Sequence, residues 1–256
     1  NIINDIPLNE DFDAPRLDYA VRVQGPLAYG VQDEARHLWE TVKWASLRKR
    51  IGRLRARLLR MRSRVSNATI ELLQRDNLRH RRDIERAYLL AIEQARHEII
   101  IANAYFLPGR SLRQAIKDAA KRGVRVVLLL QGKVEYLLQH YATLALYGQL
   151  LAAGIEIYEY RNSYLHAKVG VVDGVWATVG SSNLEPFSLL LAREANLVVR
   201  DEEFAGELRN SLLRAIKSGG QRVERLSLNR FSLLLARISY GVIRLVVGML
   251  GISRRH

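Results

Sequence analysis

His166-Ala-Lys168-Val-Gly-Val-Val-Asp173, continued by Gly180-Ser181-Ser182-Asn183, is the stretch from which this chain is best read. It puts an imidazole, an ammonium, hydroxyls and an amide within eighteen residues, framed by two short β-like runs. Leu165 to Val172 is apolar and β-branched; Asp173-Gly174 interrupts it before Val175-Trp-Ala-Thr-Val179. An Asp-Gly step between two such runs predicts a hairpin. Residues two apart on a strand share a face, so His166 and Lys168 project the same way. Asp173 falls on the opposite parity, at the turn, and reads as a structural carboxylate for an Asx-type turn or an ion pair. The Gly180–Asn183 turn then offers hydroxyl, amide and backbone N–H donors to an anion.

These groups suit a phosphodiester. Lys168, Ser181, Ser182 and Asn183 can neutralise its anionic oxygens without a metal. Imidazole titrates in the range needed to attack phosphorus or to move the proton of an alcohol. Such an imidazole presents one nitrogen while the other is held by an acceptor, and Glu194, in Arg193-Glu-Ala-Asn196, is the candidate for that role. The catalytic set expected from sequence is therefore His166, Lys168, Asp173, Asn183 and Glu194, with Lys168, Ser181, Ser182 and Asn183 binding substrate. The six histidines (37, 80, 97, 140, 166 and 256) show no ligand spacing, and neither metal nor cofactor is indicated.

The H-x-K-x4-D-x6-G-S-x-N string, complete at His166, Lys168, Asp173, Gly180, Ser181 and Asn183, resembles the phospholipase D superfamily. Arg75-Asp-Asn77, Asp83-Ile-Glu85-Arg86, Ile101-Ala-Asn103-Ala-Tyr105-Phe106 and Gln131-Gly132 extend the resemblance to bacterial cardiolipin synthases of the shorter type. It implies a pseudo-twofold site with two motifs. One histidine forms a phosphohistidine; the other, His166 here, serves as general acid and base. Lys168 and Asn183 would grip the phosphate and Glu194 would orient His166. It also implies a phosphatidyl group passing between phospholipids, phosphatidylglycerol above all and phosphatidylethanolamine as a further candidate.

No second H-x-K occurs in the chain. Leu17-Asp-Tyr-Ala-Val-Arg-Val-Gln-Gly25 resembles the strand that follows the first motif in these synthases. The expectation is a C-terminal portion of a longer polypeptide, inactive alone, whose partner lobe supplies the other histidine. The alternative is a single-motif homodimeric phosphodiesterase, nuclease or phospholipase D. The expected organisation is residues 1–45 as the end of the first lobe, 46–67 as a basic helix, 68–225 as the lobe carrying the motif, and 226–256 as a tail.

Within that lobe, strands are predicted at 97–106, 124–130, 155–160 and 195–199, and helices at 111–122, 134–153 and 202–217. Strands alternating with helices predict an α/β fold, a mixed sheet flanked by helices, with Gly219-Gly220 as a boundary before the tail. An apolar share of 48% is ample for a core, and the absence of cysteine excludes a disulfide framework.

A formal charge of +14 calls for an anionic partner. Between Leu47 and Val65 lie nine basic residues and no acid, with Leu47, Ile51, Leu54, Leu58, Met61 and Val65 at spacings of four and three. That predicts a basic amphipathic helix for an anionic headgroup region, or one packed on the domain. No aromatic residue interleaves the arginines for base stacking, so nucleic acid is not the expected partner. Phe231–Ile252 is about as long as a membrane span, yet Arg230, Arg237 and Arg244 recur every seven residues on one helical face. Monotopic insertion is the preferred reading, with packing on the partner lobe as its competitor. The expected location is the cytoplasmic face of the bacterial inner membrane, peripheral or monotopic.

Overall fold

The computed structural model describes residues 15–46, 62–65, 68–75, 80, 82–185, 193–224 and 230–249. The strands, in chain order, are β1 (Arg62–Val65), β2 (Ala68–Arg75), β3 (Glu98–Asn103), β4 (Arg125–Gln131), β5 (Glu156–Tyr160), β6 (Lys168–Val172), β7 (Trp176–Gly180), β8 (Glu194–Arg200) and β9 (Gly220–Arg222). They form one sheet in the order β1-β2-β8-β7-β6-β3-β4-β5-β9. Only β3, β4 and β5 run parallel to one another; the other pairings are antiparallel. The helices are α1 (Pro26–Ser46), α2 (Asp83–Gln94), α3 (Arg110–Lys121), α4 (Leu137–Leu151), α5 (Glu202–Gly219) and α6 (Arg230–Met249).

The apolar runs of the central strands follow from burial on both faces. Ile99, Ile101, Val126, Leu128 and Leu130 enter one core with Ile84, Tyr88, Ile92, Leu112, Ile116 and Leu150 from the helices. Ile100, Ala102, Val127, Leu129, Val169 and Val171 enter the other, covered by Leu208, Leu212 and Ala215 of α5. This is the mixed α/β architecture expected, with helices on both faces of the sheet.

The hairpin expected at Asp173-Gly174 joins β6 to β7, with Val172 opposite Trp176. Both turn residues have positive φ, 52° and 65°, as a type I′ turn requires. The Asp173 carboxylate accepts the backbone N–H groups of Arg96, His97 and Glu98, each at 2.8 Å, and so ties the turn to the start of β3. Burial acts to raise its pKa, but those three donors outweigh it and hold the carboxyl below the usual range. Its contribution to stability is thus present at neutral pH and lost as pH falls through that lowered value. Asp173→Ala, which strands three N–H groups and places alanine at positive φ, is expected to cost about 2–4 kcal/mol, measured as a lower urea midpoint.

Two expectations are corrected. The helix predicted from Leu47 to Val65 does not extend to its end: Arg62–Val65 is a strand, paired with β2 from Arg62↔Glu71 to Val65↔Ala68. At Arg62–Val65, pairing with the β-rich Ala68–Arg75 run outweighs the helical spacing; residues 47–61 lie outside those described. Gly219-Gly220 is not a domain boundary either. Gly219 ends α5 and Gly220 starts β9, which pairs with β5. A Cβ on Gly219 would come within 2.6 Å of the Tyr160 ring, and one on Gly220 within 2.7 Å of the Ile216 carbonyl. Close approach, not flexibility, selects these glycines.

The apolar tail forms α6, which packs on α4, with Ala236, Ser239 and Ile243 buried. Phe231, Leu234, Ile238, Val242 and Leu245 are exposed on another face. At about 100° per residue the two stripes lie well over 90° apart, with Arg237 and Arg244 between them. No helix among the described residues is long and apolar enough to cross a membrane.

Candidate active site

Register brings the motif to one end of the sheet. Lys168 opens β6 opposite Asn103, the last residue of β3; Gly180 closes β7 opposite Asn196; and Glu194 opens β8 opposite Arg75 at the end of β2. Gly180 is obligatory, because a Cβ there would lie 2.2 Å from Asn196 Oδ1. Asp173 sits five residues from Lys168 along the strand, about 17 Å away at 3.3 Å per residue. The structure therefore gathers His166, Lys168, Ser181, Asn183 and Glu194 and leaves Asp173 at the far end, holding the fold.

His166 is oriented by a residue that the sequence reading passed over. Leu17 N–H donates to the Tyr164 carbonyl at 2.9 Å, and His166 N–H donates to the Leu17 carbonyl at 2.8 Å. This short parallel bridge sets the next residue, Asp18, beside the imidazole. Asp18 Oδ2 lies 2.7 Å from His166 Nδ1. Burial acts to raise the Asp18 pKa, but the bonds from His166 and the Tyr19 N–H, with the charges of His166 and Lys168, lower it overall. An ionised Asp18 on Nδ1 keeps a proton on that nitrogen and leaves Nε2 for the reaction, a lone pair on the imidazole and an N–H donor on the imidazolium. Glu194, expected in this place, instead accepts a hydrogen bond from the Ser181 hydroxyl. The signal for Asp18 was present. Arg16-Leu-Asp18 leads a run of alternating apolar residues much as Arg193-Glu194 leads β8.

Lys168 is only 3% exposed, and its ammonium donates to the His166 carbonyl. Burial pulls its pKa down to about 8, against the opposing pull of Asp18, Glu194 and Glu135. A buried cation with a single backbone partner is a strong attractor for an anion. Asn183 follows the turn. Its neighbour Leu184 is pinned by the bond from Leu184 N–H to Asn103 Oδ1 at 3.1 Å and by a bridge to Phe106. Asn103 Nδ2 and Asn183 Oδ1 are buried without a partner among the described residues. Asn103 thus joins the site, a donor that motif spacing alone did not disclose. Ser182 departs from its expected role. It is fully buried, with its hydroxyl turned to the Asn183 carbonyl at 3.3 Å, and supports the turn from within.

Among the described residues no cluster of His, Cys, Asp and Glu has the geometry to hold a metal ion. What the arrangement can do is grip an anion through Lys168, Asn103 and Asn183 while His166, held by Asp18, exchanges a proton beside it.

Comparison with known proteins gives the same direction. The family described as "Cardiolipin synthase, PLD-like domain" matches residues 88–216. Cardiolipin synthase B of Escherichia coli strain K12 is 41% identical over 209 residues, which cover 82% of this chain and 50% of that protein. The chain thus spans about half the length of the curated relatives it matches. The fold is similar to that of phosphatidylserine synthase from Haemophilus influenzae (TM-score 0.56, 15% identity, 72% of this chain and 47% of that one). It is also similar to Nuc, a phospholipase D family member from Salmonella typhimurium (TM-score 0.51, 19% identity, 62% of this chain and all of that one). The buried ammonium, amides and carboxylate-held imidazole therefore have a family to answer to: this chain belongs to the phospholipase D-like family of the cardiolipin synthases.

Proposed function

We propose that the intact polypeptide containing this chain is a phosphatidyltransferase that joins two phosphatidylglycerol molecules into cardiolipin and glycerol. The observation that carries this reading is the His166 imidazole held at Nδ1 by Asp18 next to the buried Lys168 ammonium. A histidine outside this chain, in a preceding lobe, attacks phosphorus and forms phosphohistidine. His166 gives its Nε2 proton to the departing glycerol. It then takes a proton from the hydroxyl of the second phosphatidylglycerol as that oxygen bonds to phosphorus and the phosphorus–nitrogen bond breaks. Lys168, Asn103 and Asn183 hold the non-bridging oxygens throughout, with Ser181 turned to Glu194. Water in place of the second lipid would give hydrolysis, so a site facing lipid favours transfer.

The exposed apolar stripe of α6, bordered by Arg237 and Arg244, supports a peripheral or monotopic seat on an anionic membrane, and the proposal places that seat at the cytoplasmic face of the inner membrane. A single-motif homodimer is the competing reading, favoured by the complete coverage of Nuc by this chain. In it, two copies of His166 would share one site.

Labelled phosphatidylglycerol vesicles separate the two. The intact polypeptide is expected to yield labelled cardiolipin and one glycerol per turnover. The chain of residues 1–256 by itself is expected to yield neither, and robust turnover by that chain would favour the homodimer. Leu234→Asp with Leu245→Asp is expected to slow conversion on vesicles about tenfold while leaving a water-soluble phosphodiester unaffected. Equal loss on both substrates would mean that α6 serves the fold and not the membrane.

A further inference from the structure

Beside the catalytic end of the sheet lies a small cleft of about 20 Å³, room for one water-sized group such as a single hydroxyl, lined by Tyr105, Gln131, Glu135, Tyr136, Gln139 and Thr143 among others. Two glutamines there are incompletely paired. Gln131 is 9% exposed, and its Oε1 accepts the Leu165 N–H at 2.9 Å, one residue before His166. That bond fixes its amide, and Nε2 is left buried without a partner among the described residues. Gln139 is fixed the other way round. Its Nε2 donates to Glu185 Oε2 at 3.4 Å, and its Oε1 is buried without a partner. Native proteins leave few buried polar atoms unpaired, and here an orphan donor and an orphan acceptor line the same cleft.

The pair restricts what fits. Lys133 and His140 also line the cleft, but an anion reaching the two amides would meet Gln139 Oε1 and the Glu135 carboxylate; a cation would meet the Gln131 N–H groups; an acyl chain would satisfy neither amide. A hydroxyl satisfies both, because it donates once and accepts as well. The cleft also adjoins the reaction. Glu135 is near enough to act on the Lys168 charge, and its carboxylate is held by Tyr105 and by Arg16 at 3.4 Å. Gln131 meanwhile grips the chain one residue ahead of the imidazole.

We propose that this cleft receives a second, non-reacting hydroxyl of the alcohol that enters and leaves at His166, so that the site selects diols and polyols over simple alcohols. The inference rests on the phosphatidyl-transfer reading and assigns the alcohol side of that site. The reacting hydroxyl loses its proton to His166 and bonds to phosphorus as the phosphorus–nitrogen bond breaks. The second hydroxyl keeps its proton, donating it to Gln139 Oε1 and accepting from Gln131 Nε2. The same contacts would hold the departing glycerol of a phosphatidylglycerol donor.

The test offers the intact polypeptide phosphatidylglycerol vesicles with equal concentrations of 1,3-propanediol and 1-propanol, and the two phosphatidyl alcohols are quantified. The unmodified protein is expected to form the diol product in at least about tenfold excess, since a site built to bond a hydroxyl rejects the analogue lacking it. Gln139→Leu is expected to bring the ratio within about twofold of unity. Gln139→Glu, which keeps an acceptor at that point, is expected to retain a clear diol preference. The product ratio does not depend on how much active protein is present, so partial loss of folding leaves the readout intact. No preference in the unmodified protein, or a preference untouched by Gln139→Leu, overturns the inference and leaves the cleft to water. If neither alcohol is phosphatidylated and only phosphatidic acid forms, the transfer reading itself falls, and the cleft assignment with it.

Discussion

Replacing His166 by alanine in the intact polypeptide is expected to lower the proposed cardiolipin formation by about three to four orders of magnitude, with the melting temperature within a few degrees of the unmodified protein. The backbone bridge that seats residue 166, its N–H on the Leu17 carbonyl, does not depend on the imidazole and survives the substitution. A distinct signature separates an acid and base from a nucleophile. If His166 protonates the leaving alcohol, a donor with an aryl leaving group, which needs no proton, restores the first step. A burst of released phenol equal to the enzyme present should then appear in His166→Ala, followed by slow turnover as the phosphoenzyme waits for a base. Absence of the burst would assign the attack to His166 itself. Full synthesis by the variant would show that the reacting centre lies elsewhere.

Lys168→Met should separate function from stability in opposite directions. On the proposed mechanism, losing the buried ammonium removes the main charge that would neutralise the phosphate, and transfer is expected to fall by about 10²–10³. Yet the fold should gain. The Lys168 pKa is about 8 in the folded chain, below the 10.5 of an unconstrained lysine. Below pH 8 both folded and unfolded chains carry the proton, and the folded one bears the full desolvation cost. Between pH 8 and 10.5 the unfolded chain binds a proton that the folded chain does not, so native stability rises with pH across that window. Methionine has no such term. The variant is expected to be about 2 kcal/mol more stable than the parent at pH 7, with the advantage shrinking toward pH 10. Urea midpoints at the two pH values measure it, and a variant less stable at pH 7 would show that the ammonium contributes to the fold.

The central strands and their helices were legible because burial on both sheet faces writes itself as long apolar runs, such as Ile99–Ala102 and Val126–Leu130. Asp173 was equally legible: an Asp-Gly step between β-branched runs has few other uses. Asp18 was legible only in part: the alternating run that it leads resembles the one at β8, but its contact with His166, across 148 residues, is encoded by no local pattern. Asn103, Gln131 and Gln139 were hidden for a related reason. An amide at a strand or helix end reads as an ordinary polar residue until its partners, or their absence, are visible. The strand at Arg62–Val65 shows the converse failure. There the helical spacing of apolar residues was real, and sheet pairing with Ala68–Arg75 prevailed over it.

The bridge at Leu17 also bears on the order in which the molecule assembles. Most of the sheet closes through loops of tens of residues, whereas seating Asp18 against His166 requires one of the longest loop closures in the chain. Local contacts form early, so the imidazole gains its partner late in folding, once β3, β4 and β6 are in place. The same segment is held by two backbone hydrogen bonds, by side-chain contacts of Arg16 with Glu135, Asp18 with His166 and Tyr19 with Ser211, and by Leu17, Tyr19 and Val21 on the core's rim, so as a surface segment it should open at a lower free energy than the core does. Amide exchange at Leu17 and His166 should therefore run ahead of exchange at Ile100 or Val127. Catalytic competence in this fold would come and go with the docking of one short edge segment, without the sheet ever unfolding.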